Sequence, residues 1–99
     1  GDGWAHEVKL DGYRLQLRVA GGDAVLFTRT GLDWTDRFAG IAEAAAALPD
    51  AVLDGEAVVF DKAGATSFSA LQVALSNEDT SGVAYGAFDL LTEGGEDLR

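Results

Sequence analysis

The segment from Tyr13 to Val19 constrains the fold most tightly. Tyr13, Leu15, Leu17 and Val19 alternate with Arg14, Gln16 and Arg18. Successive side chains of a strand point to opposite faces, so the segment predicts a strand with one apolar face and one polar, basic face. Gly21-Gly22-Asp23 supplies the following turn, and Ala24 to Thr28 reads as the next strand. Upstream, Trp4 to Lys9 also reads as a strand, joined through a tight turn at Asp11-Gly12. The opening is therefore predicted to be an antiparallel meander.

The pattern then changes period. Phe38, Ile41, Ala42, Ala45 and Leu48 are spaced as on one face of a helix, which predicts a helix from Trp34 to Leu48. Asp33 or Thr35 would cap its start, and Pro49 would stop it. Ala51 to Phe60 reads as a strand interrupted by Asp54-Gly55-Glu56, and Asp61 to Gly64 as a turn. Ser67 or Ser69 would open a short helix running to Leu75, and Asn77 to Gly82 forms a polar loop. Val83 to Leu91 is predicted as the final strand, followed by a turn from Thr92 to Asp97. Strands, helix, strand, helix and strand with short connections give an α+β fold with a mostly antiparallel sheet and two helices.

Composition narrows the function classes. The 99 residues make one small domain, and 47% apolar content suits a globular core. No cysteine is present, so disulfides and thiolate metal sites are excluded, and His6 alone cannot hold zinc. No apolar run approaches the roughly 20 residues of a membrane span, and the first residues lack the features of a secretory signal. A cytoplasmic protein is the expectation. The formal charge of −10 argues, taken alone, against nucleic acid, since such binders draw affinity from phosphate neutralisation. It leaves room for a local basic strip.

Four segments could carry chemistry. Glu7, Lys9 and Asp11 share one face of an extended strand, and Arg14 follows the turn and can fold back toward them. A lysine beside an arginine and apolar neighbours can have the lowered pKa that a nucleophilic amine needs; the alternative is an exposed hairpin with surface ion pairs. Asp54-Gly55-Glu56 reads as a bulge, as a close approach to a ligand, or as an ordinary turn between two short strands. Phe88 is either a base-stacking platform or a core residue. Arg29 in Thr28-Arg29-Thr30-Gly31 is a candidate phosphate contact or a solvated cation. Trp4 and Trp34 read as packing residues.

Together and in order, these segments resemble ATP-dependent DNA ligases. Lys9-Leu-Asp11-Gly12-Tyr-Arg14 is similar to the motif that bears the family's nucleophile, and Asp54-Gly55-Glu56 and Ala87-Phe88-Asp89-Leu90-Leu91 resemble the next two signatures. The connecting text at Thr28 to Thr35, Ser67 to Gln72 and Gly95 to Arg99 resembles the ligase domain of bacterial ligase D, the end-joining ligase. The resemblance implies a partial ATP-grasp-like nucleotidyltransferase fold. It implies that Lys9 forms lysyl-AMP from ATP with Mg2+ or Mn2+, and that nicked or broken duplex DNA is the partner. It further implies nucleotide contacts by Glu7 (adenine amino group), Arg14 (sugar–phosphate), Glu56 (ribose) and Phe88 (adenine stacking), and a nick-phosphate contact by Arg29. Asp11 would orient the loop.

Some family features do not occur in the sequence. The later glutamate motif, the paired-lysine motif, the OB-fold domain and the upstream strand-and-proline segment have no counterpart. Residues 1–99 are therefore expected to be one adenylation domain truncated at both ends, in a bacterial DNA-repair protein associated with the nucleoid. Without the paired lysines such a piece should adenylate itself poorly or not at all. Strand edges lacking their partners would favour self-association. The competing readings are an RNA ligase, capping-type or NAD-dependent nucleotidyltransferase, and a non-catalytic binding module that keeps the fold. Arg14 after the Asp-Gly pair and the ligase D-like connectors weigh against the first.

Overall fold

The computed structural model describes residues 10–93 together with 96 and 97. The strand predicted at Trp4 to Lys9 lies outside the described residues. Five strands form one antiparallel sheet: β1 Tyr13–Ala20, β2 Asp23–Thr28, β3 Ala51–Val58, β4 Ala84–Glu93 and β5 Glu96–Asp97. Their order across the sheet is β2-β1-β3-β4-β5. The helices are α1, Ala39–Ala45, and α2, Phe68–Ser76, with a 3-10 turn at Asp36–Phe38 before α1.

The alternation in β1 becomes two chemically distinct faces. Leu15, Leu17 and Val19 are buried against Leu26 of β2, Phe38, Ile41 and Ala45 of the first helical segment, Ala57 of β3 and Leu71 of α2. Tyr13 extends this layer, with its ring edge-on to Trp34 at 5.4 Å and tilted against Phe68 at 5.2 Å. The helices thus close one face of the sheet. Arg14, Gln16 and Arg18 point to the other.

Three predicted boundaries are corrected. The helix expected from Trp34 to Leu48 is a 3-10 turn followed by a seven-residue α-helix. Its start is held back because the preceding backbone is tied to β2: Trp34 N–H donates to the Leu26 carbonyl, and the Thr35 hydroxyl accepts from Leu26 N–H. With its hydroxyl so engaged, Thr35 does not cap the turn, and Asp33 instead accepts from the Thr35 N–H and hydroxyl. At Phe38 the backbone leaves helical values (φ −125°, ψ 45°) where the ring enters the core. The chain turns at Leu48, short of Pro49, and Leu48 is exposed.

The second correction concerns Asp54-Gly55-Glu56, which sits inside continuous β3 and is no turn between strands. The third is at the far end. Thr92 and Glu93 belong to β4, and Glu96–Asp97 pair back on them, where a turn from Thr92 to Asp97 was predicted. Helix α2 follows the prediction, with Ser67 as its N-cap accepting from Ala70 N–H.

Strand β2 lies at the sheet's edge, and its outward groups at Leu26 and Thr28 are satisfied. Leu26 bonds Trp34 and Thr35, and Thr28 N–H donates to the Leu32 carbonyl. The 32–35 loop therefore covers the Leu26–Thr28 part of this edge.

Candidate functional site

The face of the sheet opposite the helices gathers most of the described residues singled out in the sequence. Residues directly opposite one another in an antiparallel pair share a face. On β1 and β3, Arg14 faces Glu56 and Gln16 faces Asp54. On β1 and β2, Gln16 faces Phe27 and Arg18 faces Val25. Arginines, carboxylates and an aromatic ring are thereby set side by side by register alone.

Arg14 is the hub. Its Nη2 donates to Asp54 Oδ2 at 2.7 Å and its Nε to Oδ1 at 3.3 Å, a two-pronged pairing. The hydrogen bond from Arg14 holds the Asp54 carboxyl below the usual carboxylate range, partial burial opposing it and the charge of Arg14 adding to it. The same guanidinium lies 5.2 Å from the centroid of the Phe88 ring, within cation–π range. Asp54 takes two of the Arg14 nitrogens, and the predicted approach of Arg14 to Glu7 and Lys9 falls outside the described residues.

Phe88 reaches this position through a bulge. In β3 and β4, Asp54 pairs with Asp89 but Gly55 pairs with Ala87, which leaves Phe88 as the extra residue. A bulge re-aims the side chain it carries. Phe88 is 53% exposed, so it is not a core residue. Leu91 occupies a second such shift, between the pairs Leu53–Leu90 and Val52–Thr92.

Gly55 has a reason to be glycine. A Cβ there would lie 2.8 Å from Tyr85 Cζ and 2.9 Å from Ala87 Cα. The Tyr85 ring crosses β3 at this point, and its hydroxyl donates to the Leu15 carbonyl at 2.7 Å. Burial, then the nearby Asp54 charge, pushes the Tyr85 phenol far above its ordinary range, so it remains a donor. Gly55 thus makes room for Tyr85 on the core side of the sheet, and the bulge read at this segment lies beside it between Asp54 and Gly55.

The segment entering β1 is seated across β3 and β4. A Cβ on Gly12 would lie 2.8 Å from Val58 Cγ1, Leu10 Cδ1 stands 3.2 Å from where a Gly86 Cβ would be, and Asp11 N–H donates to Thr66 Oγ1 at 2.8 Å. Gly86 pairs with Glu56, so Leu10 reaches the strand position beside Glu56. Glu7 and Lys9 lie outside the described residues.

Arg29 follows β2 and lines a cleft of about 500 Å³ with Arg14, Gln16, Arg18, Phe27, Thr28, Gly31 and Asp54. Sequence reading missed Asp54 as the partner of Arg14, and placed Gln16 and Arg18 on the polar face without giving them, or Phe27, a place in the site. The signal for the β1 residues was the basic half of the alternation; the cross-strand partners depended on register. Among the described residues no group of three or more His, Cys, Asp or Glu could hold a metal ion. No helix among them is long and apolar enough to cross a membrane.

A nucleotidyltransferase domain is the class this frame fits. The chain belongs to the ATP-dependent DNA ligase domain family, whose sequence profile matches residues 1–99. Within that family it is similar to the multifunctional non-homologous end joining protein LigD of Pseudomonas aeruginosa, at 46% identity over 97% of this chain and 12% of that protein. LigD of Mycobacterium tuberculosis is 44% identical over 89% of this chain and 12% of its own length. Two solved structures have the same fold: a mycobacterial DNA ligase D complexed with ATP and MES (TM-score 0.78), and the ligase domain of M. tuberculosis LigD (TM-score 0.77). Each is 38% identical and covers 93% of this chain and 30% of the other. The chain thus spans about an eighth of the curated relatives.

Proposed function

We propose that residues 1–99 form part of the adenylation domain of an ATP-dependent DNA ligase acting in bacterial end joining, with Lys9 as its nucleophile. The observation that carries this reading is the cluster of Arg14, Asp54, Glu56 and Phe88 on one open sheet face, in a chain matched along its whole length by the ligase profile.

In this reading adenine stacks on exposed Phe88, and the guanidinium already over that ring stays near the sugar–phosphate end. Asp54 holds Arg14 in place. Glu56, opposite Arg14 on the neighbouring strand, accepts from the ribose hydroxyls. Glu7 contacts the adenine amino group. Leu10 and Gly12, seated on β3 and β4, orient the residues that lead to Lys9, and Asp11 fixes that turn through its backbone.

The neutral Lys9 Nζ attacks the α-phosphorus of ATP. A nitrogen–phosphorus bond forms, the bond to the pyrophosphate oxygen breaks, and a proton leaves the amine. A DNA 5′-phosphate then takes the AMP and frees the lysine, and the 3′-hydroxyl displaces AMP to seal the strand. Charge on the transferred group makes positioning and cationic contacts the main contributions. Magnesium is the expected counter-ion of ATP. The described residues do not build a cage for it, with Asp54 taken by Arg14, and no step is assigned to it.

Intact-protein mass spectrometry after incubation with ATP and magnesium tests this, using the chain and the longer natural protein that carries it. An AMP adduct on the longer protein that disappears with Lys9→Ala is expected, with little or none on the chain alone. Absence of adduct on the longer protein would leave a binding module as the better account.

A further inference from the structure

Arg18 has no role in the adenylation chemistry above, yet the structure builds it into the cleft with some care. Its Nε donates to Gln16 Oε1 at 2.7 Å, and its guanidinium carbon lies 5.2 Å from the centroid of the Phe27 ring. The hydrogen bond and the cation–π contact together hold the guanidinium between Gln16 and Phe27. Among the described residues the one ion pair is Arg14–Asp54; Arg29 acts on that carboxylate only through its charge, and Arg18 forms no ion pair there. The cleft lining holds three arginines and one aspartate in a chain of net charge −10.

We propose that Arg18, oriented by Gln16 and Phe27, is a phosphate contact for the DNA strand, extending the contact assigned to Arg29. This rests on the ligase reading. Arg18 lies four positions beyond Arg14 on β1, on the order of 13 Å at the usual strand rise. A cationic track of that length suits a polymer with repeated phosphates better than a single nucleotide. A guanidinium with its Nε engaged still presents its terminal nitrogens, the edge that forks onto phosphate oxygens.

The test measures binding of nicked duplex DNA to the natural ligase across salt concentrations. Neutralising one phosphate contributes about 0.9 to the slope of log affinity against log salt. Arg18→Ala is expected to reduce that slope by about one, and Arg18→Lys to keep it. Arg37→Ala removes equal charge from a residue stacked 4.5 Å over Trp34, outside the cleft, and should leave the slope unchanged. An equal change from Arg18→Ala and Arg37→Ala would reduce the effect to net charge and overturn the proposal. So would an unchanged slope together with a higher ATP requirement for lysyl-AMP formation in Arg18→Ala, which would assign the cleft to the nucleotide. Failure of the parent to form lysyl-AMP would instead sink the ligase reading, while the salt slopes would still decide the role of Arg18.

Discussion

Gly55→Ala probes the link between the core and the open face. The added Cβ would sit 2.8 Å from Tyr85 Cζ and 2.9 Å from Ala87 Cα, and would also meet the Gly86 carbonyl oxygen. Carbon atoms rest at about 3.5–4.0 Å, so β3 and β4 must part locally by roughly 0.6 Å or more. Two of the three obstacles are backbone, which cannot swing aside. Overpacking of this kind costs about 1–3 kcal/mol, which for a domain of this size lowers Tm by roughly 4–20 °C. The damage falls at the bulge that carries Phe88, so ATP affinity in the natural ligase should drop as well. Gly82→Ala is the control, because nothing lies within 4 Å of its added Cβ and its φ is not in the left-handed region. That substitution should be neutral or slightly stabilising. Thermal unfolding by circular dichroism reads the first effect, and lysyl-AMP formation against ATP concentration reads the second. Replacing Tyr85 by leucine in the Gly55→Ala background should relieve only part of the cost. Equal Tm values for the two alanine variants would refute the reasoning, and full relief by Tyr85→Leu would show that the backbone is not the obstacle.

Three further outcomes are expected. Ser67→Ala removes the side-chain cap of α2 and should cost about 1 kcal/mol by chemical denaturation. Tyr85→Phe removes the hydroxyl that donates to the Leu15 carbonyl, and about 1 kcal/mol of lost stability should appear in the same assay. Asp54→Asn should destabilise at pH 7 by an amount that shrinks in acid. The native Asp54 carboxyl lies below its ordinary value, so its contribution is complete above the unfolded pKa of about 3.9 and disappears as pH falls through the lower native value. A Tm gap between parent and variant that widens on acidification would contradict the pairing with Arg14.

The fold was legible wherever one strand or helix carries its own pattern. The alternation in β1 predicts which of its residues enter the core, and Leu15, Leu17 and Val19 do so. The Gly21-Gly22-Asp23 turn and the Ser67 cap are likewise local signals. The Trp34 to Leu48 helix was overextended because its periodicity carries no record of the bonds tying Trp34 and Thr35 to β2. Those bonds join residues adjacent in space but not in pattern. Phe88 shows the same limit. In a regular strand its place in the alternation would decide its face, but the unpaired position opposite Asp54 and Gly55 gives it a different aim. A bulge is a property of two strands, and neither sequence alone contains it.

Net charge is silent about the cleft for a related reason. Net charge sums over the chain, whereas recognition depends on which charges share a surface. Seven lysines and arginines against seventeen aspartates and glutamates read as a poor partner for DNA. Three of those seven line one cleft, where, among the described residues, the one aspartate is paired with Arg14. The gathering follows from the alternation that opened the fold. A strand that buries Leu15 and Leu17 must present Arg14, Gln16 and Arg18 together, and the turn into β2 brings Phe27 opposite Gln16 and leads on to Arg29. The pattern that builds the core therefore also assembles the basic face, and a substitution that slipped β1 by one residue would lose both at once.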